Sequence, residues 1–346
     1  MKIRVGKFLA FTLIELLVVI SIIGLLAGLL LPAIQAARES GRRITCVNSQ
    51  RNIATALLQF EASAGSFPGW RNKVNINGID GTVSWVTKIL TQIEEQDLYK
   101  AILDGSSSTP IPKIPILRCP SATQQSQPAS INYVVNGGAA DDFWNETGEP
   151  VTYDENSYNG VFLDRNEYPN LMTSIDEINK LDGTSRTLLL SENLNAGFWI
   201  ASDDHRNSNC NRSGESGAAD TAEGAVAFCW GKGYLDGSYN AGDVPEYSPF
   251  ARECNLDGAN RVNLRLPRWI NMCTGVTFTD GDWYQSARPS SSHPSVVVAT
   301  FCDGHVQPIN ESISEIIFVQ LMTGSDKKSD AKNFIGTAPP PSLSDL

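Results

Sequence analysis

Few residues in this 346-residue sequence have the chemistry for a reaction. His293 and Asp303 offer an imidazole and a carboxylate, the components of a general acid–base pair. They flank a strand-like apolar run in HPSVVVATFCDG, and an extended strand of that length holds its ends more than ~30 Å apart. The pattern therefore reads as a His-Pro strand start followed by a hairpin turn, with Asp303-Gly304 as a type I′ dipeptide. Glu192 ends the run LLLSE and is a general acid by residue type alone; it reads better as a structural carboxylate capping a loop. No G-x-S-x-G elbow, H-E-x-x-H pair or P-loop occurs. No catalytic residue is assigned, and an enzyme is not expected.

Metal chemistry has two possible sources. Oxygen-rich stretches supply the ligands that a hard cation needs, TDGDW with Asp280 and Asp282 above all, but none has the EF-hand spacing. The expectation is no metal and no cofactor, with calcium at Asp280 and Asp282 as the alternative. Seven cysteines are scattered through the chain beside three histidines, without a C-x-x-C pair, so a zinc framework is not expected. Outside the cytoplasm some of these cysteines would form disulfides, and the odd count leaves at least one free thiol or an intermolecular bond. Trp144, Trp199, Trp230, Trp269 and Trp283 have the faces to line a glycan surface, although tryptophans in a loop-heavy body usually fill its core.

Glu15 is the most anomalous ionisable group. Phe11 to Leu31 is a run of 21 residues whose only polar members are Thr12, Glu15 and Ser21. At about 1.5 Å per residue such a helix spans a hydrocarbon core of about 30 Å. Lys2, Arg4 and Lys7 precede it, which keeps the start cytoplasmic and sends the body outside. A carboxylate within such a span costs about 2.5–3.5 kcal/mol on insertion scales, so it needs a partner or a function. Cleavage between Ala10 and Phe11 would create an α-amino group at the depth of Glu15, and the two charges could pair between neighbouring subunits.

The stretch FTLIELLVVISIIG resembles the class III signal of type IV prepilins and type II secretion pseudopilins. The resemblance implies a prepilin peptidase that cuts before Phe11 and methylates its amine, with Glu15 at the fifth mature position and Pro32 where pilins carry a helix-bending proline. The family has glycine before the cut; this chain has Ala10. A second resemblance covers most of the chain. His293, nine residues and Asp303-Gly304 match the H-x9-D-G marker of a large family of bacterial prepilin-like proteins of unknown function, and RRITCVNSQRNI, LRCPSA, INYVVNGG, NGVF and LDGTSRTLLLSE agree with it. From the positions of Cys46 and Cys119 within such segments, that resemblance implies a bond pinning stem to body.

The elements that must position these groups follow from periodicity together with what these resemblances imply. The expected fold is α+β: a long amino-terminal transmembrane and stem helix packed on a β-rich, mainly antiparallel, pilin-like head with large loop insertions. Residues 1–10 form the leader, 11–31 the membrane and assembly helix, 32–64 the stem, 65–335 the extracytoplasmic head with the H-x9-D-G hairpin, and 336–346 a disordered tail. Ile34, Ala37, Ile44, Val47, Ala54 and Leu58 mark an apolar side of the stem, and Gly65, Pro68 and Gly69 end it. SWVTKILTQIEEQDLY, Ser84 to Tyr99, reads as a short amphipathic helix. The first 61 residues carry seven Lys/Arg and three Asp/Glu, which leaves 20 basic and 35 acidic residues for the rest. A body so acidic repels nucleic acid.

Together these readings imply a structural subunit precursor of a pilus-like or pseudopilus-like filament. It would reside in the inner membrane with its head outside and join a periplasmic or surface filament after processing. Its expected partners are the prepilin peptidase, other pilin-like subunits and the membrane. The alternative is an anchored cell-surface module that binds a glycan, peptide or cation without assembling.

Overall fold

The computed structural model describes residues 13–106, 112–122, 131–139, 142–144, 150–152, 156–166, 168–193, 196, 199, 227–230, 289, 291–329, 335 and 339–341. In chain order the elements are α1 (Leu13–Ala64), β1 (Arg71–Ile76), β2 (Ile79–Ser84), α2 (Trp85–Ile89), α3 (Gln96–Leu103) and a 3-10 turn (Pro115–Leu117). Then follow β3 (Tyr133–Ala139), β4 (Asp142–Trp144), β5 (Pro150–Thr152), β6 (Asp164–Arg165), α4 (Ile175–Lys180) and β7 (Leu188–Glu192). The last are β8 (Ala227–Trp230), β9 (Val296–Phe301), β10 (Val306–Asn310) and α5 (Glu315–Met322). The fold is α+β with a long apolar helix at its start.

The chain divides into two units, Met1–Ile44 and Thr45–Leu346, and α1 contributes to both. In the first unit α1 runs unbroken through Pro32 and Gly41, and its large apolar side chains from Leu13 to Leu31 are exposed. It is long and apolar enough to cross a membrane. Ser21 donates its hydroxyl to Leu17 O at 2.8 Å, so this polar side chain is satisfied within the helix itself. On the expected apolar side of the stem, Ile34, Ala37 and Ile44 are exposed within the first unit, while Val47, Ala54 and Leu58 are partly or fully buried in the second.

In the second unit α1 buries Cys46, Gln50, Ile53, Ala54 and Leu57, steps of three and four that place them on one side of a 3.6-residue helix. The helix stops where Gly65 adopts φ +78° and its N–H donates to Glu61 O at 2.7 Å, a left-handed cap that glycine takes without a Cβ clash. The core also holds Trp85, Tyr133, Phe162, Leu189, Phe301 and Phe318. The Phe67 and Phe162 rings lie 5.6 Å apart.

A five-stranded sheet runs in the order β10-β9-β7-β3-β8, antiparallel except for the parallel β3–β8 pair. Every residue of β7 is buried, the pattern of a strand covered on both faces. Where β3 bends at a register shift between Asn136 and Gly138, the Asn136 side chain donates to Leu188 O (2.8 Å) and to Met322 O (2.7 Å). A smaller sheet, β2-β1-β6, begins with a hairpin at Asn77 (φ 49°) and Gly78 (φ 85°), two left-handed residues as a type I′ turn requires.

Two local expectations are corrected. Ser84 to Tyr99 is not one helix: Glu94 takes φ 66° between α2 and α3, and Glu95 N closes back on Leu90 O at 2.8 Å. The Asp303-Gly304 hairpin is not type I′. Only Gly304 is left-handed (φ 86°); its N–H donates to Phe301 O (2.9 Å), and Phe301 N donates to His305 O (3.0 Å). This is a three-residue loop, a type I turn with its bulge at the glycine.

Candidate functional site

Four segments far apart in sequence meet at one end of the central strands of this sheet. Glu192 ends β7, where it pairs with Tyr133 of β3. It does not cap a loop: its side chain is buried and its Oε2 accepts the Val298 N–H of β9 at 3.2 Å. Its Oε1 lies 3.4 Å from His293 Nε2, yet that oxygen is buried and accepts no hydrogen bond among the described residues. At that separation the two atoms are close but not aligned as a hydrogen bond.

His293 precedes β9 and is buried, and its backbone N–H is held by Ser291 Oγ at 3.1 Å. Its Nε2 lies 3.7 Å from Cys119 Sγ. Cys119 follows the 3-10 turn and donates its own N–H to Asn132 Oδ1 at 3.0 Å. It is bonded to Cys46 of α1 across 73 residues of chain. One ligand-capable atom from each of Cys46, Cys119, Glu192 and His293 lies within 4.8 Å of the other three. The Tyr133 phenol beside them has its pKa raised, first by burial and then by the Glu192 carboxylate.

The site therefore combines a disulfide, an imidazole and a carboxylate out of contact with bulk water. With the disulfide open it presents two sulfurs, a nitrogen and an oxygen.

Other residues singled out in the sequence fall elsewhere. His293 and Asp303 are not brought together. Asp303 lies in the turn beyond β9, where its Oδ1 meets His305 Nδ1 at 2.6 Å, while the His305 ring stacks on Phe301 at 4.2 Å. Gly304 supplies the left-handed turn residue. Glu15 and Pro32 belong to the first unit, on α1. Ala10 and Phe11, and the calcium candidates Asp280 and Asp282, lie outside the described residues, as do Trp269 and Trp283. Trp199 is wholly buried and presents no face to a glycan. Cys302 is a free thiol buried in the core, which raises its pKa well above the ordinary value.

A family model described as "Protein of unknown function (DUF1559)" matches residues 35–315. The chain belongs to the DUF1559 family. All four residues of the buried cluster fall within the matched DUF1559 span, as does the H-x9-D-G hairpin, whereas the apolar segment up to Leu31 precedes it. No curated protein and no solved structure matches the chain.

Segments singled out in the sequence acquire physical roles in this geometry. Cys46 and Cys119 fasten α1 to the turn before β3, and NGG and NGVF are the two backbones that cross at Gly138 and Gly160. What the sequence did not reveal is the meeting of His293 and Cys119 with Glu192. The one available cue is that LLLSE places a carboxylate in line with apolar residues that a sheet would bury.

Proposed function

We propose that this chain is a non-enzymatic subunit precursor of a type IV pilus-like or type II secretion pseudopilus-like filament. A prepilin peptidase would cut it before Phe11, and α1 would pack beside the same helix of neighbouring subunits. The head would lie outside the inner membrane. Membership of the DUF1559 family and an apolar amino-terminal helix support the reading in outline.

The observation that carries it is Glu15, the sole ionisable residue between Phe11 and Leu31. A simple anchor gains nothing from a carboxylate at that depth and bears its insertion cost. In a bundle of processed helices the Phe11 amine supplies the counter-ion, and the pairing fixes axial register between subunits. The long apolar helices then exchange lipid for one another during assembly.

Mass spectrometry of the mature amino terminus tests this directly. Protein from native cells is expected to begin at an N-methylated Phe11. A chain that still begins at Met1 would overturn the proposal in favour of an anchored binding module.

A further inference from the structure

We propose that the Cys46–Cys119 disulfide and a zinc-class divalent ion are alternative states of one buried pocket. With the disulfide reduced, Cys46, Cys119, His293 and Glu192 form a four-coordinate metal site.

The geometry is already close to what such an ion needs. Zn–S bonds of about 2.3 Å and Zn–N or Zn–O bonds of about 2.0–2.1 Å give tetrahedral edges of about 3.6 Å from sulfur to nitrogen and about 3.3 Å from nitrogen to oxygen. The observed edges are 3.7 Å from Cys119 Sγ to His293 Nε2 and 3.4 Å from His293 Nε2 to Glu192 Oε1. The remaining distances from sulfur to nitrogen and oxygen lie within 4.8 Å, so completing the tetrahedron parts the two sulfurs to about 3.8 Å and draws these atoms in, a motion of side-chain torsions.

The pocket also carries an unmet demand for a cation. Glu192 Oε1 is buried and accepts no hydrogen bond among the described residues, a costly position for a carboxylate oxygen. Its Oε2 is fixed by Val298 N, and the Cys119 backbone is fixed by Asn132, the outer contacts that orient metal ligands. Two sulfurs, one imidazole and one carboxylate suit a borderline ion such as zinc and not the hard calcium ion.

The chemistry balances with a dithiol as reductant. The S–S bond takes two electrons and two protons from the dithiol, which closes to its own cyclic disulfide, and Cys46 and Cys119 become thiols. The incoming ion displaces both thiol protons to solvent as two metal–sulfur bonds form. His293 stays neutral, giving its Nε2 lone pair and keeping the proton on Nδ1, and Glu192 gives Oε1.

The test uses the full chain in detergent, either oxidised or reduced with a dithiol that is then removed anaerobically. Each sample is loaded with Zn2+ or Co2+, desalted and analysed for metal. The reduced chain should retain one more equivalent per chain than the oxidised chain, and its cobalt form should show tetrahedral ligand-field bands with thiolate charge transfer. Alkylation followed by peptide mapping should find Cys46 and Cys119 at least tenfold slower to react with zinc than without it. Against a competing chelator, His293→Ala and Glu192→Gln should each weaken zinc binding at least tenfold, while Cys302→Ser should not. Equal metal in the oxidised and reduced wild-type chains overturns the proposal, and so does zinc that leaves Cys46 and Cys119 unprotected. Both of those readings need no variant to fold.

Discussion

The Gln50 side chain accepts the Thr300 hydroxyl at 2.8 Å across 250 residues of chain, and its Nε2 donates to Val298 O at the same distance. One amide on α1 thus holds the side chain and the backbone of β9 together, and all of these groups are buried. Gln50→Leu strands both partners and should destabilise the head by about 1–3 kcal/mol. Adding Thr300→Val should recover part of that loss, because a matched apolar pair leaves one group fewer unsatisfied. Urea unfolding of the wild type and these two variants, read as midpoint at constant slope, checks both statements.

Gly160 passes so close to Gly138 that a β-carbon on it would overlap the Gly138 Cα and N; conversely, a β-carbon on Gly138 would lie 2.9 Å from Gly160 N. Gly138 is also left-handed, at φ 85°. Gly160→Ala forces two backbones apart and should cost about 1–3 kcal/mol, an overpacking penalty. Gly183→Ala, where nothing lies within 4 Å but φ is 96°, should cost less, through backbone strain alone. Thermal melts of the pair give the ranking.

Asp182 Oδ2 accepts the Asp326 N–H at 2.5 Å, and burial with the neighbouring Asp326 carboxyl pushes its pKa up from 3.8 to about 6. The Asp326 pKa is raised too, chiefly by burial. A raised pKa means that the folded state keeps a proton which the unfolded chain has released. Stability is therefore greatest below the unfolded value and declines as pH rises through about 6. Asp182→Asn mimics the protonated acid, so its unfolding midpoint should be flatter than that of the wild type between pH 4 and pH 7, as about two units of the window require. Because the site is partly exposed, the gain at neutral pH should stay within about 1 kcal/mol.

Glu15→Ala removes the one ionisable group of the apolar segment. Insertion should be unharmed or improved, since the cost of about 2.5–3.5 kcal/mol disappears. On the assembly proposed above, filament formation should fall at least tenfold, because the amine of a neighbouring helix would lose its partner. Membrane fractionation and cross-linking of sheared filaments separate the two effects, and normal assembly of this variant would refute the pairing role.

The long helix was legible because its information is local. An uninterrupted apolar run, the polar residues after it and the glycine that ends it act within a turn or two of the chain. LLLSE and the runs flanking Asp303-Gly304 were legible as strands for the same reason. Their turn type was not, because Asp-Gly serves both a two-residue turn and a three-residue loop, and only the pairing register between Thr300 and Val306 selects one. Asn77-Gly78 is a local signal of the same kind, and the hairpin between β1 and β2 forms there.

Only the tertiary structure decided the buried cluster. Cys46 and Cys119 are 73 residues apart, and Cys119 and His293 are 174 apart. A ligand set carried by one loop leaves a spacing in the sequence; one assembled from a helix, a turn and two strand ends leaves none. Apolar periodicity states that each of these elements must be covered, but the side chains it encloses depend on which faces meet, and that choice is made by the packing of the whole sheet.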